Sequence, residues 1–220
     1  MNYTQIDVFR DGIRPLIPSA PVPAVDRAIR TAAITISTQS MAIRERITPV
    51  NSVKGTGVYT LVPPSDTRII DIIAARYNNY PMDLTSEKEL NIEMPTWDSV
   101  EGTPVQIYHS GYNEVTIAPP PDTAVTGGIK VTVALSPTSS AAQVPQELAE
   151  SFYEALIDGA LANLFALPGT SWANPEEAAI RKDRMIQVAN EARLFFDERA
   201  LKRRPGFAQI PGETIVATSK

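Results

Sequence analysis

Residues 150–185 read ESFYEALIDGALANLFALPGTSWANPEEAAIRKDRM, and this stretch decides the fold. Taken with the residues before it, Leu148, Phe152, Ala155, Leu156, Gly159, Ala160 and Leu164 recur at helical spacing and form one apolar stripe. Pro145 opens that helix, and Leu167-Pro168-Gly169 stops it. The small residues at 155, 159 and 160 let a second helix backbone come close. A new helix then starts with clear signals. Asn174 is a good N-cap, Pro175 suits the first helical position, and Glu176 and Glu177 complement the positive helix N-terminus. Ala178, Met185, Val188, Ala189, Ala192, Phe195 and Phe196 carry its apolar stripe. If it runs to Leu201 it is about 40 Å long, at about 1.5 Å per residue.

Working upstream, a third helix is expected from about Pro21 to Arg46. Val25, Ala28, Ile29, Ala32, Ala33 and Ile36 give it one apolar face. Its second half, TISTQSMAIRERI, is weaker helix material, because Ile34-Thr35-Ile36 is a run of three β-branched residues. Between the helices the pattern changes to strands: VYTLV (58–62), TRIIDIIAARYN (67–78), PVQIYH (104–109), NEVTIA (113–118) and IKVTVAL (129–135). Ser110-Gly111-Tyr112-Asn113 reads as a hairpin turn. Between the second and third strands a short helix fits Ser86–Ile92, and the rest of that connection reads as loop. These elements predict an α+β fold: a helical bundle, one N-terminal and two C-terminal long helices, with an inserted small antiparallel β domain and extended terminal arms. The expected divisions are an N-terminal arm at 1–20, a helical body at 21–47 and 141–200, the β insert at 48–140 and a C-terminal arm at 201–220.

Composition narrows the function. The 220 residues are 43% hydrophobic and 20% charged, enough to bury one real core or two small ones sharing an interface. The net charge is -5. Proteins that grip nucleic acid through phosphates usually carry a basic excess, so gripping DNA or RNA is disfavoured as the main task. There is no cysteine, which excludes disulfides, thiol catalysis and thiolate metal sites. No apolar run is long enough to span a bilayer, and the chain reads as soluble, unprocessed and unanchored. The 19 prolines sit mostly in connections, where they fix the angles between elements.

Catalytic signatures are missing: the sequence has no GxSxG, HExxH, P-loop or dinucleotide fingerprint. The one histidine, His109, ends a predicted strand beside a turn and reads as a surface residue rather than a base or ligand. Gly55-Thr56-Gly57 has no helix after it and reads as a turn rather than a phosphate cradle. Asp83, Glu87 and Glu89 surround Lys88 in an exposed segment, and a solvated face outweighs a hydrolytic or metal pair. Trp97 and Trp172 read as plugs of a core from connections, with ligand stacking the minority reading. No catalytic residue, cofactor or metal is therefore expected.

The chain's end reads differently. Lys202, Arg203 and Arg204 form the only basic run, and Phe207, Ile210, Ile215 and Val216 come after them among prolines and glycines. A free monomer gains nothing by exposing such apolar anchors, so they suit docking on a partner. The β-branched TIVATS segment suits strand addition to a partner's sheet edge.

Four pieces carry a family resemblance: PVP (21–23) leading into DRAIRTAAI (26–34), GTGVYTLVPPSDTRIIDI (55–72), EMPTWDSVEGTPVQIYH (93–109), and the helix pair at 150–185. Together they resemble the head-to-tail adaptor, or connector, proteins of tailed bacteriophages, including the tail tubular protein A of podophages. The resemblance implies a structural virion protein made in the host cytoplasm and located at the neck. It implies a twelve-copy homo-oligomeric ring beneath the portal protein, with a tail or nozzle protein below. DNA would pass through the channel without specific binding, no membrane would be involved, and the C-terminal arm would bind the portal. A tail-completion or tail-terminator protein is the alternative, and a carbohydrate-binding or hydrolytic module using Trp97 is a distant third.

Overall fold

The computed structural model describes residues 2–202, with side chains described for residues 2–196. Six helices and nine strands are defined within that range. The helices are α1 (Arg10–Ile13), α2 (Val22–Ser40), α3 (Glu87–Glu93), α4 (Gln146–Ser151), α5 (Tyr153–Phe165) and α6 (Pro175–Lys202). The strands are β1 (Tyr3–Gln5), β2 (Arg44–Arg46), β3 (Val58–Thr60), β4 (Thr67–Tyr77), β5 (Tyr80–Leu84), β6 (Gln106–His109), β7 (Glu114–Ala118), β8 (Ile129–Pro137) and β9 (Gln143–Pro145).

Helices α2, α5 and α6 pack against one another as the residue pattern predicts. The expected face of α2 is buried: Val25, Ala28, Ile29, Ala32, Ala33 and Ile36 are each at most 5% exposed. Gly159 lies at the tightest point. A β-carbon there would stand 2.3 Å from Met185 Sδ on α6 and 2.9 Å from Ala32 Cβ on α2. Arg181 on α6 ties the hairpin together through Asp158 on α5 at 2.6 Å, and lies over the Phe165 ring. Asn174 Oδ1 accepts the Glu177 amide at 3.2 Å, the cap read from the sequence.

The expected architecture, a helical bundle with a small inserted antiparallel β domain, is overturned, while the expected C-terminal arm lies outside the described residues except for Leu201 and Lys202. The strands form a large curled sheet of seven, in the order β2-β8-β4-β5-β6-β7-β3. Three local causes explain the difference. First, α2 stops at Ser40, because Met41 turns left-handed at φ 49°. Beyond that turn the chain enters strand β2, antiparallel to β8, with Ile43 and Ile47 turned into the core at 0% and 3% exposure. The sheet is thereby joined directly to the end of α2. Second, β5 arises from residues expected to be loop. Asn78 and Asn79 both adopt positive φ, at 45° and 70°, and fold β5 back on β4 as a tight hairpin. Third, β5 pairs with β6 in parallel, so the sheet is mixed rather than antiparallel. The long connection carrying α3 supplies the crossover that a parallel pair needs.

The expected arm at the N-terminus is also corrected as far as the described residues reach. Ile6, Phe9, Ile13 and Ile17 recur at near-helical spacing and are buried, Phe9 and Ile13 completely. Arg10 Nε and Nη2 donate to Asp26 on α2 at 2.7 and 2.8 Å. Strand β1 pairs with β9 immediately before α4. One contiguous core contains residues of the N-terminal segment, the helices and the sheet together. The last helix reaches Lys202, close to the expected end.

Candidate functional site

Where the sequence placed its binding residues, only the first reaches the described backbone. Lys202 is the last residue of α6, while Arg203, Arg204, Phe207, Ile210, Ile215 and Val216 lie outside the described residues. The residues weighed for chemistry are dispersed. His109 ends β6, and its Nε2 has no hydrogen-bond partner among the described residues. Among the described residues no group of three or more His, Cys, Asp or Glu side chains is arranged to hold a metal ion. Gly55 sits at φ 72° and donates its amide to Pro121 O at 2.8 Å, so the two-glycine motif is a turn pinned to a loop.

Trp97 meets Tyr108 edge-on, with ring centroids 6.0 Å apart, and its indole N–H donates to Asn91 Oδ1 at 2.9 Å. It covers β6 from the connection. Trp172 is half-buried against the main core. The acidic segment around Lys88 is folded, not loose. Ser86 caps α3 by accepting the Glu89 amide, and the Glu89 carboxylate accepts the Ser86 amide at 2.9 Å. Hydrogen bonds from the Ser86 hydroxyl and amide, and from Thr85, hold the Glu89 carboxyl below its ordinary pKa. A folded pKa below the unfolded one favours the folded state while the group is ionised. That contribution is present above the ordinary glutamate range and is lost as pH falls through the lowered folded value. Ser86→Ala is expected to cost the local helix about 1 kcal/mol. Amide exchange over residues 87–93 should accelerate, with the amides of β4 and β8 unchanged.

A second feature was not read from the sequence. Arg46 on β2 lies opposite Thr132 on β8, which lies opposite Ala74 on β4, and Lys130 lies opposite Arg76. Directly paired residues share a face, as do residues two apart on one strand. Arg46, Lys130 and Arg76 therefore project from one side of three adjacent strands, with Ile129, Val131, Val133 and Leu135 on the core side. Together with Ala74, Ala75, Asn79 and Thr132 they line a concavity of about 280 Å³. Lys130 Nζ donates to Asn79 Oδ1 at 2.7 Å, which steadies the ammonium at its rim. The alternation Arg44-Glu45-Arg46 was a signal in the sequence. It acquires meaning only once β2 is known to be a strand and to pair with β8.

Among the described residues the chain carries a basic concavity on the sheet, an acidic tip at α3, and α6, whose described backbone ends at Lys202. A model of the SU10 adaptor protein family matches residues 1–209. No curated protein matches the chain.

Proposed function

Since the chain belongs to the SU10 adaptor protein family, we propose that it joins the head of a tailed phage to its tail, as a ring of twelve copies seated beneath the portal protein. The observation that carries this reading is the length of the family match, which takes in the sheet and all the helices alike. In this reading a tail or nozzle protein lies below the ring, at the neck of the virion. The genome passes through the channel without specific binding. The chain's acidic balance of -5 supports sliding rather than gripping, since net repulsion opposes adhesion of a polyanion. The work is structural, and no cofactor or catalytic residue enters it.

The portal contact is assigned to the C-terminal segment. There Lys202, Arg203 and Arg204 supply charge, and Phe207, Ile210, Ile215 and Val216 supply apolar anchors. A chain ending at Lys202 keeps every described element. It is expected to melt like the full chain and to lose co-sedimentation with portal rings. Unaltered portal binding by the truncated chain would show that the segment is not the anchor. Retention of the full chain on tail-less heads supports the adaptor. Its presence on isolated tails alone would favour a tail-completion protein.

A further inference from the structure

We propose that neighbouring copies are joined by a heterologous contact, in which the acidic tip around α3 of one copy seats in the basic concavity of β2, β8 and β4 on the next. This inference rests on the adaptor ring and names the surfaces that such a ring requires. A closed ring of identical copies needs two different, mutually complementary patches on each chain. Charge supplies such a pair here.

The receiving surface is the part of the sheet face around Arg46, Lys130 and Arg76, beyond the Arg44 side chain that lies against Phe196 of α6. Among the described residues, no carboxylate lies within salt-bridge distance of Arg46, Arg76 or Lys130. The one carboxylate that these three strands carry on the same face is Asp71, opposite Ala134 and beyond Thr132. The floor is alanine, and the volume leaves room for an aliphatic side chain between the cations.

The occupant has the matching character. Residues 83–101 carry the carboxylates Asp83, Glu87, Glu89, Glu93, Asp98 and Glu101 against a single cation, Lys88. Three of these are committed within the chain. Glu89 closes the cap, Glu93 accepts from Gln106 at 3.1 Å, and Glu101 meets Lys54 at 3.4 Å. Asp83, Glu87 and Asp98 have no cation within salt-bridge distance among the described residues. Beside them Ile92 and Val100 are 70% and 56% exposed, apolar anchors flanked by free negative charge. The two patches belong to different parts of the sheet. The tip packs over β6, through Trp97 on Tyr108 and Glu93 on Gln106, while the concavity spans β2, β8 and β4. Among the described residues no ion pair joins them within one copy. Nucleic acid is the weaker occupant. Three cations in a chain of net charge -5 offer few phosphate contacts, whereas the complementary surface is present on every copy.

The test is a charge exchange. One variant carries Arg46→Glu with Arg76→Glu, the other Glu87→Lys with Asp98→Lys; all four positions are surface residues outside the core. Assembly on portal rings is read by negative-stain electron microscopy and native mass spectrometry, and folding by thermal melting. Each variant alone is expected to melt like the unchanged chain and to form no closed ring. An equimolar mixture is expected to restore rings of alternating variants, because every junction is then complementary. Two outcomes overturn the contact: each variant forming rings unaided, or folded variants that stay apart when mixed. An unchanged chain that forms no ring on portals or in virions overturns the ring reading and this inference with it. If the Arg46/Arg76 variant assembles normally but no longer retains duplex DNA at low salt, the concavity belongs to nucleic acid, and the contact is wrong.

Discussion

Phe9→Ala lowers the stability of the chain by about 3–5 kcal/mol, as large-to-small substitutions of a fully enclosed phenylalanine do. Phe9 is 0% exposed, and its ring stacks on Tyr153 of α5 with centroids 5.5 Å apart. Truncation removes the transfer free energy of the ring and opens a cavity between the N-terminal segment and α5. The neighbour Val8, 49% exposed, serves as the control, and Val8→Ala should stay within about 0.5 kcal/mol. Urea denaturation followed by circular dichroism measures both. Equal, small effects at the two positions would mean that the N-terminal segment contributes little to the folded state.

The second large effect is expected at Gly159. Valine there places a β-carbon where Met185 Sδ and Ala32 Cβ already stand, at 2.3 and 2.9 Å. The methionine sulfur lies near the end of a flexible side chain and can move aside. The alanine methyl is fixed to the α2 backbone and cannot. Three helices must therefore part, at a cost of about 3 kcal/mol, the upper end for overpacking. Shortening the movable neighbour with Met185→Ala in the same chain should recover only part of the loss, because Ala32 remains. A neutral Gly159→Val would show that α2, α5 and α6 pack less tightly than this contact requires.

Both predictions fall on residues that the sequence treated unequally. Gly159 stood in a stripe of small residues at helical spacing, and that periodicity alone signalled close helix packing. Phe9 stood in a short stretch whose helices are a 3-10 turn and a four-residue α1, too brief for a period to stand out. Its Ile6, Phe9, Ile13 and Ile17 are spaced regularly, but they are buried against α2 and against α5, the latter more than a hundred residues away. The strands show the same contrast. β4, β7 and β8 were legible from alternation and β-branched content. β2 was hidden behind a helical face that ended a few residues earlier than its pattern suggested. β5 was hidden because Pro81 and Asp83 are poor strand residues; the Asn78-Asn79 turn and pairing on both sides override that preference. The basic concavity was illegible for a deeper reason. Arg46, Arg76 and Lys130 come from three distant segments, and only strand register brings them to one face.

The continuity of the core has a mechanical consequence. Because α2 runs directly into a strand of the sheet, and α5 and α6 clasp α2 at Gly159, there is no soft joint between the helices and the strands. A pull on α6 at Met185 reaches the sheet through core side chains already in contact. It is not taken up by the stretching of a linker. In an adaptor protein, such stiffness keeps strain that enters at one surface from being dissipated before it reaches another.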